Sequence, residues 1–134
     1  MTQAMPKAGC RILIADDHEL MRRGTRALLE SRGSTEVWEA KDGKEAIEKT
    51  RELKPDLVIL DVSMPLLDGF SAAREIKTFA AQTLILIVSL DRSDTFVDVA
   101  RKIGVSGYLT KSEGSQVLLD AVNAALSSDG FYAS

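Results

Sequence analysis

The sequence is poor in cysteine, in aromatic residues and in long apolar runs. It has 134 residues and one cysteine, Cys10, so no disulfide can form within the chain, which is typical of a reducing cytoplasm. Aromatic residues are 5% of the total, so the core must consist mainly of aliphatic side chains. Length and a hydrophobic content of 45% fit one compact domain.

The absence of long apolar runs and of basic runs also argues against two kinds of partner, membranes and nucleic acids. Every apolar stretch is far too short to span a bilayer, and residues 1–9 lack the apolar centre of a signal peptide. The net charge is -3 and no basic run is present, so we do not expect this chain to bind DNA or another polyanion directly. The composition predicts a cytoplasmic protein that binds neither a membrane nor nucleic acid.

Three apolar runs without alternation, at 12–15, 57–60 and 84–88, predict strands of a parallel sheet that are covered on both faces. Residues 35–40 alternate and suit an edge strand, and 107–110 is a short fifth candidate. Amphipathic segments fill the gaps and predict five helices. The repeated β-α pattern with right-handed crossovers predicts a doubly wound α/β fold.

The helical segments carry cap signals and inner faces. Asp42, with Glu45 three residues later, predicts the start of the second helix, and Gly104 predicts the end of the fourth. The domain is expected to cover residues 11–128, between a flexible tail at 1–10 and a tail or linker start at 129–134. In the first helix the expected inner face consists of Leu20, Gly24, Ala27 and Leu28.

Polar residues follow the apolar runs. Asp16 and Asp17 follow the first strand, Asp61 ends the third, Ser89 ends the fourth and Lys111 follows the fifth. Ligands of open α/β sheets bind at the carboxyl ends of the strands, so these side chains are expected to converge. Three carboxylates brought together repel one another, and Mg²⁺, which prefers oxygen ligands and keeps several waters, would remove the repulsion.

This set of groups predicts phosphoryl chemistry. Asp61, on the central strand, is the expected nucleophile, and a carboxylate nucleophile yields an aspartyl phosphate. Lys111 would supply a positive charge and Ser89 a hydroxyl donor, and phosphoryl transfer needs little beyond positioning and charge neutralisation. Taken singly, each acid is typical of a strand-end turn. The combination of these acids with Ser89 and Lys111 favours a phosphoryl-transfer site.

Four stretches, RILIADDHELMRRG, PDLVILDVSMPLLDG, LILIVSLD and GYLTK, together resemble the receiver domain of bacterial two-component response regulators, and DDH, RRG and GYLTKS resemble its NarL/FixJ subclass. The resemblance runs from about Arg11 to Leu126. It implies a flavodoxin-like, five-stranded parallel sheet with strand order 2-1-3-4-5 and five helices. It also implies a phosphoacceptor switch, not an enzyme, that is phosphorylated by a sensor histidine kinase or a small phosphodonor.

The resemblance assigns a role to each matching residue around a magnesium ion. Asp61 matches the phosphoacceptor, Asp17 the direct metal ligand and Asp16 the acid that acts through water. Ser63 matches the residue whose backbone carbonyl binds the metal.

The same resemblance identifies the residues expected to form the conformational switch. Ser89 matches the switch hydroxyl, Lys111 the lysine that pairs with the phosphate, and Tyr108 an aromatic that turns from solvent into the gap left by the hydroxyl. Ser63 and Asp91 stand at the positions that influence phosphoryl lifetime. Many family members have a cis proline after the lysine, whereas this chain has serine, which leaves the geometry of that loop open.

The output of the domain also stays open. GFYAS, near the end of the sequence, resembles the start of a linker to a helix-turn-helix, which implies regulation of transcription through a domain absent from this chain. The alternative is a stand-alone receiver that docks on another protein. A homodimer through helices one and five, or through the surface of helix four, strand five and helix five, is a further open expectation.

Two other functions fit parts of the pattern. A flavodoxin needs a Ser/Thr-rich loop after strand one to hold the phosphate of FMN, where this chain has ADDHEL, whose acids would repel it. A haloacid-dehalogenase-type phosphatase needs a second aspartate two residues after the nucleophile, where this chain has Ser63.

Overall fold

Strands and helices alternate along the chain in the computed structural model, which describes residues 10–33, 35–90, 93–127 and 131–132. The strands are β1 (Cys10–Ala15), β2 (Thr35–Ala40), β3 (Leu57–Asp61), β4 (Leu84–Ser89), β5 (Gly107–Thr110) and β6 (Phe131–Tyr132). The helices are α1 (Glu19–Glu30), α2 (Gly43–Leu53), α3 (Gly69–Phe79), α4 (Asp94–Ile103) and α5 (Ser115–Leu126). A 3₁₀ turn, Lys111–Glu113, connects β5 to α5. In these ranges no helix is both long and apolar enough to cross a membrane.

The strands form one parallel sheet in the order β2-β1-β3-β4-β5-β6. The predicted order 2-1-3-4-5 is therefore confirmed. The two-residue strand β6 was not predicted, because the sequence places it in the C-terminal tail. Strand order reverses between β1 and β3, so their carboxyl ends border the crevice where ligands of such sheets bind.

The two faces of the sheet carry separate hydrophobic clusters. One cluster joins the sheet to α2, α3 and α4 and contains the fully buried Tyr108. The other joins it to α1 and α5 and contains Cys10 and Leu29. Because side chains alternate along a strand, burial on both faces requires the continuous apolar runs seen in the sequence.

The predicted inner face of α1 was wrong for three of its four residues, since only Leu28 is half-buried. Leu20 is 77% exposed, and Gly24 and Ala27 are also exposed, whereas Leu29 is fully buried. The helix is rotated so that Arg22, whose side chain is only 15% exposed, lies on its inner side. Polar contacts of Arg22 replace apolar burial at this point, and apolar periodicity does not reveal them.

The predicted helix ends are confirmed. Asp42 caps α2 by accepting a 2.8 Å hydrogen bond from the backbone N–H of Glu45, and Gly104 ends α4 with φ +87°. His18 caps α1, since its Nδ1 accepts from the backbone N–H of Met21 at 3.3 Å. The only histidine thus has a local structural contact beside the two aspartates that precede α1.

Candidate functional site

The carboxyl ends of β1, β3 and β5 bring two acids and a lysine into contact. Asp16 is 7% exposed and Asp61 is 5% exposed. The Nζ atom of Lys111 lies 3.3 Å from Oδ2 of Asp16 and 3.3 Å from Oδ2 of Asp61. One carboxylate oxygen from each of Asp16, Asp17 and Asp61 lies within 4.8 Å of the others. We call these three residues the acid cluster.

The charges of the site are strongly coupled. Burial, followed by the charge of Asp16, raises the pKa of Asp61 to about 6, although Lys111 and the backbone of Ser63 act in the opposite direction. Burial alone would lower the pKa of Lys111, but the charges of Asp16 and Asp61 outweigh it and raise that pKa. The lysine is therefore a permanent cation beside a carboxyl group that is costly to ionise.

Asp16, Asp61 and Lys111 also line a cleft of about 340 Å³ between α1 and α5. Leu20 and Leu118 stand on opposite walls of this cleft. The buried acids are therefore accessible from the side of the sheet that α1 and α5 cover.

The loop after β3 is fixed by its own backbone. The N–H of Gly69 donates to the carbonyl of Val62 at 2.9 Å, and the N–H of Val62 donates to the carbonyl of Val88 at 3.0 Å. Asp68 caps α3 by accepting from the N–H of Ser71 at 2.9 Å. Ser63 lies on this loop and is exposed. The segment from Asp61 to α3 is thus a closed turn over the end of the strand.

The turn that carries Lys111 is fixed by a capping box. The N–H and hydroxyl of Thr110 both bond to Oε2 of Glu113, at 2.9 and 3.1 Å. No peptide bond in the described ranges is cis. With Ser112 after it, Lys111 lies in a 3₁₀ turn, and its Nζ still contacts Asp16 and Asp61.

The two residues expected to act as the switch lie on the neighbouring strands β4 and β5. Ser89, at the end of β4, is 4% exposed and pairs with Thr110 in the sheet register. Tyr108 was expected to start in solvent, but it is fully buried among α2, α3 and α4. In this structure the tyrosine already occupies the inward position. Asp91 lies outside the described residues.

Sequence reasoning missed Arg22. Its Nη1 donates to the backbone carbonyl of Asp16 at 2.8 Å, and its Nε donates to Glu39 at 2.7 Å. The motif RRG contributed to the family resemblance, but spacing gives no sign of this contact. The only possible signal was a basic residue in the second turn of the helix that follows the acids.

Fold and site define a class of protein: a doubly wound parallel sheet with an acid cluster and a lysine at its carboxyl edge. The family model of the response regulator receiver domain matches residues 12–123, and the chain belongs to this family. Receiver domains are the phosphoacceptor switches of two-component signalling. This membership leaves the flavodoxin and phosphatase interpretations without support.

Curated relatives agree with the family. The chain is 36% identical over 113 residues to the response regulator GacA of Pseudomonas viridiflava, which covers 84% of this chain and 53% of GacA. It is 37% identical over 116 residues to the chemotaxis protein CheY of Bacillus subtilis, which covers 87% of this chain and 97% of CheY. The chain spans about half the length of the GacA relatives that it matches.

Solved structures confirm the fold and the likeness to the NarL-type subclass. A LuxR-family two-component response regulator from Aurantimonas sp. SI85-9A1 superposes with a TM-score of 0.87 at 36% identity, over 90% of this chain and 87% of the other. The receiver domain of the putative response regulator NarL from Mycobacterium tuberculosis gives a TM-score of 0.83 at 31% identity, over 88% and 96%.

Proposed function

We propose that this receiver domain takes up a phosphoryl group on Asp61 and passes the signal on through a change of its α4-β5-α5 surface. The observation that carries the proposal is the position of Asp61, which is buried at the carboxyl end of the central strand and ion-paired with Lys111. The phosphodonor would be the phosphohistidine of a sensor histidine kinase, or a small phosphodonor.

The chemistry follows from the groups present. A carboxylate oxygen of Asp61 attacks phosphorus, and a new P–O bond forms. The bond from phosphorus to the histidine nitrogen breaks, and the nitrogen keeps the electron pair. Lys111, 3.3 Å from the same carboxylate, pairs with the phosphoryl oxygens. The domain is the acceptor in this transfer, and its own residues position and neutralise the reacting groups.

The acid cluster fits a magnesium ion. Three carboxylate oxygens within 4.8 Å of one another form a hard donor set, and one lysine does not balance their charge. Asp17, Asp61 and the backbone carbonyl of Ser63 would hold the ion directly, and Asp16 would act through water. When bound, Mg²⁺ neutralises charge on the phosphoryl oxygens.

The switch would begin at Ser89. A phosphoryl group adds about two negative charges and strong acceptor oxygens, which attract the hydroxyl of this residue. Movement of the loop after β4 would favour the buried position of Tyr108, already present in this structure, and so shift a pre-existing equilibrium. Ser63 and Asp91 would set the lifetime of the phosphoryl group.

Labelling with acetyl phosphate tests the phosphoacceptor. Intact-mass measurement should show one phosphoryl group on the wild type when Mg²⁺ is present and none when the metal is chelated. Asp61→Asn should abolish the label. Asp68→Asn, which changes an exposed cap residue outside the acid cluster, should keep it. A label that persists in Asp61→Asn would contradict the assignment.

The output has two candidate forms. Regulation of transcription through a further domain is supported by similarity to the transcriptional regulatory protein PdtaR of Mycobacterium tuberculosis, 38% identical, of which the match covers 57%. Docking as a stand-alone receiver is supported by similarity to CheY, of which the match covers 97%. The coding sequence that follows Ser134 distinguishes them. A homodimer is tested by measuring the molar mass with and without beryllofluoride, which mimics the phosphoryl group.

A further inference from the structure

Arg22 connects three elements next to the acid cluster. From α1, its guanidinium donates through Nη1 to the backbone carbonyl of Asp16, at 2.8 Å, and through Nε to Glu39 on β2, at 2.7 Å. The side chains of Arg22 and Glu39 are 15% and 20% exposed. A planar guanidinium with two partners at a fixed angle holds both more rigidly than a lysine could.

The bond to the carbonyl of Asp16 has a specific consequence. This carbonyl belongs to the peptide group that joins Asp16 to Asp17, so its direction sets how the two side chains are oriented. The N–H of Asp16 donates to the carbonyl of Ala40 at 3.1 Å, and Oδ1 of Asp16 accepts from the N–H of His18 at 2.9 Å. Asp16 is therefore held by both its backbone and its side chain.

Asp17 is held differently. It is exposed, and in the described part of the chain its carboxylate forms neither a hydrogen bond nor an ion pair. Its oxygen still lies within 4.8 Å of those of Asp16 and Asp61. This placement therefore depends on the backbone that precedes Asp17, and Arg22 donates a hydrogen bond to that backbone.

We propose that Arg22 is a positioning residue for the acid cluster, which fixes the Asp16–Asp17 peptide and thereby directs Asp17 towards the metal. The inference rests on the proposed magnesium site. Arg22 acts through the backbone, and its charge is matched by Glu39, which also accepts from Arg26 at 2.9 Å. We therefore expect Arg22 to act through geometry and not through its charge. The two roles predict opposite effects of an Arg22 substitution on Mg²⁺ affinity.

Charge alone predicts that loss of a cation beside three acids tightens Mg²⁺ binding. Positioning predicts that the same change weakens it. Arg26 is the matched control, because it is also on α1 and also bonds to Glu39, but its second partner is Glu30 and not the Asp16 carbonyl. Arg22→Gln and Arg26→Gln remove the same charge, and the first alone removes the bond to the Asp16 carbonyl.

The experiment is calorimetric titration of Mg²⁺ into metal-free wild type, Arg22→Gln, Arg22→Lys and Arg26→Gln, with melting curves recorded for each. Arg22→Gln should bind Mg²⁺ roughly tenfold more weakly than Arg26→Gln, as is typical when a residue that orients metal ligands is lost. Arg22→Lys keeps the positive charge but lacks the planar guanidinium with its two donors. It should also bind Mg²⁺ more weakly than the wild type does. If Arg22→Gln does not fold, the comparison of Mg²⁺ affinity between Arg22→Lys and the wild type tests the proposal.

The outcomes separate the two proposals. Wild-type or tighter binding in Arg22→Gln or Arg22→Lys would overturn the positioning role and leave the magnesium site intact. An equal loss in Arg22→Gln and Arg26→Gln would also overturn it, since the loss would then come from Glu39. Absence of Mg²⁺ binding by the wild type would overturn both the positioning role and the proposed metal site.

Discussion

Gly69 lies directly against the backbone of Asp61: a β-carbon at position 69 would be 2.2 Å from the carbonyl oxygen of Asp61. Such a contact cannot be accommodated without moving one of the two backbones. The glycine of the LLDG segment is thus required by the return of the chain over the end of β3. Strand β3 and the first turn of α3 form one tightly packed unit.

Gly69→Ala should destabilise the protein by about 1–3 kcal/mol, because the added methyl group forces the loop away from Asp61. Urea unfolding measures the change, and acetyl phosphate labelling should slow in parallel. Gly24→Ala is the control, since a β-carbon there meets no atom within 4 Å and alanine favours the helix by about 1 kcal/mol. Equal stability of Gly69→Ala and wild type would show that the close approach is absent in solution.

The raised pKa of Asp61 predicts a pH-dependent cost of folding. A carboxyl group whose pKa moves from 3.8 to about 6 on folding binds more protons in the folded state, so its contribution to stability falls as the pH rises between these values. Asp61→Asn should stabilise the metal-free protein by on the order of 2 kcal/mol above about pH 7.

This advantage should shrink as the pH falls towards 3.8, where Asp61 is protonated in both states. Denaturant unfolding of wild type and Asp61→Asn in the presence of a chelator, across this pH range, checks it. A difference that does not vary with pH would mean that the effect has another source. Added Mg²⁺ should stabilise the wild type more than the variant.

Tyr108 lies on the opposite face of the sheet from the acid cluster, among residues covered by α2, α3 and α4. Tyr108→Ala should cost about 3–5 kcal/mol, as loss of a buried aromatic ring does, and Tyr108→Phe about 0.5–1.5 kcal/mol. Both variants should still be labelled on Asp61 wherever they fold, as intact-mass measurement will show. Failure of folded Tyr108→Phe to take up phosphate would refute the separation of phosphorylation from switching.

Leu66 has a backbone φ of +68° and is 78% exposed. The left-handed region costs a residue with a β-carbon about 1 kcal/mol, and this exposed side chain has little packing to offset it. Leu66→Gly should therefore be neutral to slightly stabilising, by less than about 1 kcal/mol, because glycine relieves the strain but adds entropy to the unfolded chain. Marked destabilisation in urea would indicate an unrecognised packing role for the leucine.

The part of the site that could be predicted follows from one rule of parallel sheets. Apolar runs that lack alternation end at a common edge, so Asp16, Asp61 and Lys111 had to approach one another although they are far apart in sequence. The helix ends at Asp42 and Gly104 were likewise predictable, because the residue types needed for caps act locally.

The remainder depends on contacts between elements. Arg22 lies on the inner side of α1, where its guanidinium donates to Glu39 and to the Asp16 carbonyl. No sequence motif or residue spacing predicts either of these contacts. The left-handed backbone of Leu66 results from closure of the loop over β3. Burial of Tyr108 reflects the packing of α3 and α4, which no pattern within GYLTK encodes.

Burial of Cys10 makes the molecule convenient for spectroscopy. The chain has no other thiol, and this one is 0% exposed, so reagents that require an accessible thiolate should leave the folded wild type unmodified. A cysteine introduced at an exposed position such as Ser115 would then be the sole attachment point for a fluorophore or spin label. The motion of a labelled helix can then be followed in real time without first replacing the native cysteine.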